Sequence, residues 1–442
     1  MAALVRALEK MGAVGLIFIH PGEPIHEMIC TTIWGNPTHH SLARKPGLPV
    51  ININQPDGQR LIASTRQDLT SVSLQTRVEE RWRPCAVVEA VIQGGEWAEE
   101  FILLHGHYDS WHFGIGDNAT GNAGLLELAR IFNSRRDNLR RTIKILWWPG
   151  HSTGRYAGST WYADQFALQL RDHCVAQVNM DSPGCVGATS YEEVMWMAEC
   201  DSICRSAIAD QTQAPIQRLR PLRAGDYSFN QIGISSFFML SSNRPPEQRK
   251  QMGLYPVGGC GGNTVWHTEE DLMAVYDPEI MLQDLRVYVS ALTRTANAEL
   301  LPFDHRAAVQ EMKEGLTNHE IATEGRLDLK PVRDGLAELD ACLSRFYRAV
   351  ESGTVSPSRA NQLLKRIGRK LIPLNYSRGE PFDHDPAEPL GVLPKLADVG
   401  LLKQRAPDSP EEKFLLTGLI RQRNKVVNQL RETVEMIEDV VG

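Results

Sequence analysis

The sequence predicts an α/β fold with a doubly wound, mainly parallel sheet, a smaller N-terminal β/α unit and a C-terminal helical unit. Through residues 76–300, short apolar runs alternate with helical patterns, which is typical of a sheet covered by helices. Several of these runs end in Gly-rich or polar stretches, as strands do where they lead into helices. After residue 300, apolar residues recur at spacings of three and four, which indicates helices alone.

Residues 1–75 are predicted to form a separate piece. A helical pattern leads into an apolar strand at 14–19, and a second strand follows at 49–53. The connection between them is rich in Pro, Gly, Asn and Thr, which favours a loop. We therefore expect a small β/α unit ahead of the main sheet.

Residues 76–300 carry the strand and helix alternation of the main sheet. Runs at 78–83 and 86–93 predict two early strands. The fully apolar run at 101–104 predicts a buried central strand, and 141–148 predicts another strand. Further elements are predicted as helices at 161–170, 193–209 and 226–233 and as a strand at 234–240.

Residues 301–442 are predicted to be helical. Apolar residues from Val332 to Val350 alternate spacings of four and three and so form one apolar seam. Ser409 and Glu412 have the spacing of a capping box, with Pro410 at the first helical position. A second long helix is therefore expected to begin at this point.

Composition excludes some classes of partner and compartment. The net charge of -7 gives no basic footprint, so nucleic acid is not an expected partner. No apolar run approaches the ~18 residues of a membrane span. The eight cysteines are scattered without a CxxC pair, which favours buried thiols in a reducing compartment. The cytoplasm is the expected location.

Four polar motifs follow one another along the main-sheet region. HGHYDS places His107 at the end of the central strand, and GDNATG places Asp117 just before a helix. NMDSPG places Asp181 at the end of another strand, and VWHTEED places His267 after a Gly-rich loop. Loops of this kind meet at one edge of an open α/β sheet. Imidazole and carboxylate are ligands that zinc accepts, so we predict a zinc site at this edge.

In this order and spacing, the four motifs resemble the zinc peptidases of the glutamate carboxypeptidase II and transferrin receptor superfamily, which also contains co-catalytic zinc aminopeptidases. The resemblance implies a zinc peptidase-like catalytic domain at 76–300, a partial protease-associated lid domain at 1–75 and a helical dimerisation-like domain at 301–442. The chain would then begin inside the lid domain, through truncation or because its lineage has a reduced lid. A homodimer through the C-terminal helices is also implied.

The resemblance further implies one or two zinc ions. His107, Asp117 and Asp181 would hold one ion, and a second ion would share Asp117 and add His267. Asp109 lies two residues beyond His107 and is expected to orient its ring.

Four residues are expected to contribute to substrate binding. In the resembling family, the residue at the position of Asn118 follows the bridging carboxylate across a cis peptide bond. Tyr227 falls in a stretch that lines the family's cleft, although the family has a His there. Arg155 and Trp266 complete the predicted set.

One motif departs from the family. The family has a Glu-Glu pair, of which the first is the general base and the second a zinc ligand, whereas this chain has LWWPGHSTGRYAGS. An alignment anchored on Gly154 puts His151 at the base position and Ser152 at the ligand position. An alignment anchored on the later Gly-Ser pair puts Ser152 and Thr153 there. His151 is the predicted catalytic replacement, since its ordinary pKa of ~6.5 suits base work near neutral pH.

The expected function is zinc-dependent hydrolysis of amide bonds, in peptides or N-acyl compounds, by metal-activated water. Three alternatives stay open at this point. His151 could rebuild a dinuclear site, or one ion could be held by His107, Asp117 and Asp181 while His151 or His267 handles protons. The protein could instead be an inactive, receptor-like scaffold. Loss of both glutamates also leaves open a small non-peptide amide or carbamate as substrate.

Overall fold

A pair of parallel strands forms the centre of the N-terminal unit. In the computed structural model, which describes residues 2–67, 71–79 and 81–442, this unit contains α1 (Ala2–Lys10), β1 (Leu16–Ile19), β2 (Val50–Ile53) and α2 (Gln55–Gln67). β1 pairs with β2 in parallel. Both predicted strands are therefore present, while the identity of this unit as a protease-associated domain stays a prediction.

The main sheet has five strands. They are β3 (Val88–Ile92), β4 (Trp97–His107), β5 (Arg141–Trp148), β6 (Cys174–Asn179) and β7 (Ser236–Phe237). Their order across the sheet is β3, β5, β4, β6, β7. β3 runs antiparallel to β5, and the other three pairings are parallel. The predicted α/β class with a mainly parallel sheet is confirmed.

The apolar centre of β4 shows why this sheet is covered on both faces. Phe101, Ile102, Leu103 and Leu104 are all buried, and successive side chains of a strand point to opposite faces. Ile102 and Leu104 join one hydrophobic cluster, and Phe101 and Leu103 join another. A continuous apolar run is thus the signature of a strand with helices packed on either side.

Helices follow the strands and then form the C-terminal unit. Within the described residues, no helix combines the length and the apolar character needed to cross a lipid bilayer. The helices of the main domain are α3 (Thr120–Ser134), α4 (Ala157–Gln165), α5 (Ala167–His173), α6 (Asp201–Ala209), α7 (Pro246–Gln251) and α8 (Pro278–Asn297). Those of the C-terminal unit are α9 (His305–Thr323), α10 (Lys330–Glu351), α11 (Pro357–Tyr376) and α12 (Pro410–Val441).

Two predicted elements of the main domain are wrong, and a third is shorter than predicted. The described residues of 78–83 form no strand; Glu80 lies outside the described part, and the side chains of Val78 and Trp82 are exposed, so no burial holds them in a strand. The helix predicted at 193–209 is limited to α6, and 226–233 forms turns. The last segment contains buried polar residues among its apolar ones, and two of them, Asp226 and Ser228, are held by contacts from distant parts of the chain.

The C-terminal helical seam is present as predicted. α10 packs against α12, and the Ser409 hydroxyl accepts a hydrogen bond from the Glu412 amide at the start of α12. The Glu412 carboxylate accepts in return from the amide of Asp408. The buried seam residues of α10 are Val332, Leu336, Leu339, Leu343 and Phe346.

Arg369 of α11 fastens the helical unit to the main domain. Its guanidinium is buried, and burial lowers its pKa to about 10. It makes no ion pair within the described residues and donates instead to main-domain backbone carbonyls. These belong to Leu170, Arg171, Cys174 and Gly233.

Glu199 is a buried carboxyl just before α6. The Ser235 hydroxyl donates to its Oε1 at 2.9 Å, while Oε2 has no partner. Burial raises the pKa of Glu199 from 4.5 to about 7. The folded protein therefore holds a proton here over a pH range in which the unfolded chain has released it.

Replacing Glu199 is expected to remove a pH-dependent loss of stability. Because its pKa is higher in the folded state, folding stability falls as pH rises from 4.5 to about 7, by about 3 kcal/mol in all. Glu199→Gln cannot ionise, so its free energy of unfolding should change less between pH 5 and pH 8. Urea unfolding at both pH values measures this. The exposed Glu338→Gln is the control, and equal pH dependence in wild type and Glu199→Gln would contradict a buried proton.

Candidate metal centre

The carboxylate of Asp117 lies between two histidines at the carboxyl edge of the sheet. Its Oδ1 is 3.0 Å from Nε2 of His107, and its Oδ2 is 3.1 Å from Nε2 of His267. Oδ2 of Asp181 is 3.6 Å from the same His107 nitrogen. All four residues are buried. The structure thus brings together the four predicted ligands, which lie on four separate segments of the chain.

Asn118 joins two of those segments. The peptide bond between Asp117 and Asn118 is cis, as the resemblance implied. The Asn118 amide donates to the carbonyl of Met180 at 3.0 Å and accepts from the amide of Ser182 at 3.1 Å. These contacts tie the loop before α3 to the segment that carries Asp181. Asn118 is buried and supports the site through these contacts, and its role in substrate binding stays a prediction.

Backbone carbonyls orient both histidine rings. Nδ1 of His107 donates to the carbonyl of Asp109 at 2.8 Å, and Nδ1 of His267 donates to the carbonyl of Glu27 at 3.1 Å. In each neutral ring this leaves the lone pair on Nε2, which faces Asp117. The predicted orienting residue for His107 is therefore correct in position, but it acts through its main chain.

The carboxylate of Asp109 has a different task. It accepts from the His151 amide at 2.9 Å and from the Thr153 hydroxyl at 3.1 Å, whereas it lies 3.9 Å from Nδ1 of His107. It therefore holds the loop that carries His151 and Thr153. Asp271 plays a similar part for the loop that carries Asp117, since its two carboxylate oxygens accept from the amides of Gly116 and Asp117.

The electrostatics of the cluster suit a cation. Burial opposes ionisation of Asp117, but His107 and His267 hold its pKa well below the usual range. Burial likewise opposes charge on His107, but Asp117 and Asp181 raise its pKa well above the ordinary value. Nε2 of His107 is buried and makes no well-formed hydrogen bond. Two buried carboxylates and two imidazoles with inward lone pairs are a donor set that fits zinc.

His151 stacks on His107. The ring centroids are 3.8 Å apart and the planes differ by 11°. Nitrogens of both rings and an oxygen of Asp181 lie within 4.8 Å of one another, which alone would allow one ion to bind all three. Nitrogen lone pairs lie in the ring plane, however, and two nearly parallel planes do not converge on one ion. The stacking therefore favours His151 as a neighbour of the metal centre.

The other nitrogen of His151 is held by Asp226, a residue that sequence reasoning passed over. Oδ2 of Asp226 accepts from Nδ1 of His151 at 2.7 Å, and Oδ1 accepts from the Ser159 hydroxyl at 2.7 Å. Burial opposes ionisation of Asp226, but His151 and His107 hold its pKa well below the usual range. One indication of this contact is present in the sequence, because Asp226 lies next to Tyr227 in the stretch that lines the cleft of the resembling family.

Tyr227 does not reach the site. It is buried in the main hydrophobic cluster, so its predicted role in substrate binding is wrong. The neighbouring Asp226 contacts His151 instead.

Arg155 and Trp266 lie near the centre without touching the predicted ligand atoms. The Arg155 guanidinium is 5.1 Å from the Tyr156 ring, which in turn meets His151 edge-on at 4.9 Å. The half-buried Trp266 stacks on His267 with ring centroids 3.7 Å apart. Both remain predicted substrate contacts at the rim of the site.

The main-sheet segment that carries this cluster resembles metallopeptidases. The family model of peptidase family M28 matches residues 87–289. This match confirms the resemblance to zinc peptidases that the four motifs indicated.

Curated relatives match part of this region. The chain is 31% identical over 114 residues to aminopeptidase NAALADL1 of Mus musculus, and 31% identical over 114 residues to a glutamate carboxypeptidase 2 homolog of Caenorhabditis elegans. Each match covers 25% of this chain and only 15% of the relative's length.

Solved structures of similar proteins cover more of the chain at lower identity. A zinc aminopeptidase from Bacillus subtilis is 18% identical with a TM-score of 0.46, over 67% of each chain. A peptidase M28 precursor from Shewanella amazonensis is 20% identical with a TM-score of 0.48, over 68% of this chain and 63% of that one.

Metal analysis of variants tests the predicted ligands. We expect zinc in the wild-type protein and its loss in Asp117→Asn, because Asp117 faces both histidines. His151→Ala should keep its zinc, since the stacked ring is not directed at the same ion as His107. Plasma emission spectroscopy per chain measures this, with the exposed His39→Ala as control. Zinc lost from His151→Ala would make His151 a ligand, and wild type without zinc after reconstitution would contradict the site.

Proposed function

We propose that this chain hydrolyses amide bonds at a zinc centre formed by His107, Asp117, Asp181 and His267. The observation that carries the proposal is the Asp117 carboxylate between two imidazole nitrogens at 3.0 and 3.1 Å. It lies within the segment that matches peptidase family M28. Zinc bound there would act as a Lewis acid. It would lower the pKa of a bound water molecule toward neutral pH and polarise a carbonyl group.

His151 is the proposed proton acceptor. Asp226 accepts the hydrogen on Nδ1, so in the neutral ring Nε2 carries the free lone pair. The stacking against His107 holds that ring beside the metal ligands. A positioned base of this kind contributes roughly 10²–10⁴-fold to a hydrolytic rate. His151 would thus take the proton of the attacking water and return it to the leaving amine.

The proposed substrates are peptides, with N-acyl amino acids as the nearest alternative. Peptides follow from the family match, and the half-buried Trp266 offers an apolar surface beside His267. The absence of both family glutamates favours the alternative, because a carboxylate near the metals is what receives a free α-amino group in the resembling aminopeptidases. A panel of aminoacyl anilides and N-acyl amino acids separates the two classes.

An inactive, receptor-like scaffold is the second candidate. It is favoured by Ser152, which stands at the family's ligand position with a buried hydroxyl that has no hydrogen-bond partner among the described residues. A serine hydroxyl is a poorer zinc ligand than a carboxylate at neutral pH. Zinc-loaded protein that turns over no member of the panel would favour this candidate.

The catalytic pair is tested by kinetics. His151→Ala should lower kcat by roughly 10²–10⁴-fold with KM and zinc content little changed, because the base is lost while the ligands stay. Asp226→Asn should lower kcat in the same direction, since an amide can donate to Nδ1 and reverse the tautomer. Steady-state kinetics on the best substrate of the panel measure both. His39→Ala is the control, and full activity in His151→Ala would exclude it as base.

A homodimer through the C-terminal helices is also proposed, on the family resemblance and on Phe414 of α12, which is 77% exposed. Light scattering should give twice the chain mass of 49.4 kDa. Phe414→Glu should reduce that mass. The cytoplasmic location stays a prediction from cysteine usage.

A further inference from the structure

We infer that Trp34 of the N-terminal unit is a positioning residue for His151. The inference rests on the proposed function in so far as His151 acts as base. Trp34 is 4% exposed and lies 194 residues from its hydrogen-bond partner Ser228 in sequence. Two independent sets of contacts lead from its indole to the His151 ring.

The first set is a chain of hydrogen bonds. Nε1 of Trp34 donates to the Ser228 hydroxyl at 2.9 Å, and the Ser228 and Ser159 hydroxyls are 2.9 Å apart. Ser159 donates to Oδ1 of Asp226 at 2.7 Å, and Oδ2 of Asp226 accepts from Nδ1 of His151 at 2.7 Å. Trp34, Ser228, Ser159 and Asp226 are buried, so bulk water does not compete for these bonds.

The chemistry at its two ends gives this chain one direction. An indole N–H can only donate, and an ionised carboxylate can only accept. The Ser228 oxygen therefore accepts from Trp34, and its hydrogen is free to go to Ser159, whose own hydrogen goes to Asp226. With one oxygen of Asp226 occupied by Ser159, the other is directed at His151. The bonds from Trp34 to Asp226 run in one direction and polarise one another, so the bond from Ser159 that fixes the Asp226 carboxylate is strengthened by the first. His151 donates to the same carboxylate from the other side.

The second set consists of ring contacts. The Trp34 and Tyr156 ring centroids are 4.1 Å apart, and the Tyr156 ring meets His151 edge-on at 4.9 Å with an angle of 82°. Arg223 covers the indole at 3.5 Å. Offset and edge-on pairs are favourable aromatic geometries. His151 is thus confined between Tyr156 on its edge and His107 on its face.

The backbone beside Trp34 packs closely against the main domain. The Gly35 amide donates to the carbonyl of Arg155 at 2.6 Å. Gly35 has a φ of 63°, and a Cβ there would come within 2.2 Å of Oγ1 of Thr160. Only glycine fits this backbone conformation and this approach. The same N-terminal unit reaches the opposite side of the centre, where the Glu27 carbonyl accepts from His267.

These contacts make the N-terminal unit part of the metal site. Trp34 sets the orientation and the tautomer of His151 from a unit outside the segment that matches the family. Its removal should therefore disturb the base while leaving the metal ligands in place.

The test uses two Trp34 variants of the full chain and observes His151 directly. Trp34→Phe keeps the ring contact and loses the N–H, and Ser159→Ala breaks the same chain from the main-domain side. Nitrogen-15 NMR of labelled histidine, with His151 assigned from His151→Ala, should show the Nδ1–H tautomer in wild type and a mixed tautomer in both variants. The exposed Trp82→Phe, 76% exposed in wild type, is the matched control and should leave the signal unchanged.

Kinetics give the second readout. Trp34→Phe should lower kcat about tenfold with KM and zinc content unchanged, and Trp34→Ala should lower kcat further because the ring contact is also lost. A His151 signal in Trp34→Phe and Ser159→Ala that matches wild type would overturn the inference. A wild-type protein that hydrolyses nothing, but whose His151 tautomer responds to both variants, would defeat the proposed function and leave the positioning role standing.

Discussion

The site depends on a buried carboxylate, that of Asp117, facing two imidazoles. A buried anion is costly unless it is paired and hydrogen-bonded, and the surrounding chain is arranged to meet that demand. Asp271 fixes the backbone amides of the loop before α3, and Asn118 binds that loop to the strand end beside it. The carbonyls of Asp109 and Glu27 turn the two rings inward. Four segments far apart in sequence are thereby held around one charge.

Much of this arrangement could be predicted from the sequence because the ends of buried strands can be recognised from local residue patterns. An apolar run followed by His107 or Asp181 indicates both a buried strand and a side chain displayed at the sheet edge. The continuous apolar run from Phe101 also predicted a buried central strand, and the structure shows that it is buried on both faces. The helical seam and the Ser409 cap were predictable for the same reason, since periodicity and capping are local properties of a sequence.

What the sequence could not show depends on contacts across long separations. Asp226 lies 75 residues from His151, and Trp34 lies 194 residues from Ser228; no spacing rule connects such pairs. Tyr227 was predicted in place of Asp226 because it occupies the position of the family's His in a stretch that lines the cleft. The strand predicted at 78–83 failed because β-propensity needs a neighbouring strand and a buried face. Departures of this kind are concentrated at the functional site, where buried polar contacts replace regular patterns.

The hydrogen bonds from Arg369 to main-domain carbonyls can form only late in the synthesis of the chain. The carbonyls of Leu170 and Cys174 that it binds are made 199 and 195 residues earlier. At a synthesis rate of roughly 5–20 residues per second, this corresponds to about 10–40 seconds on the ribosome. During that interval the end of α5 and the start of β6, the strand that leads to Asp181, are without their guanidinium partner. Arg369 can bind these carbonyls only after α11 has been synthesised, whereas all the predicted metal ligands precede residue 268.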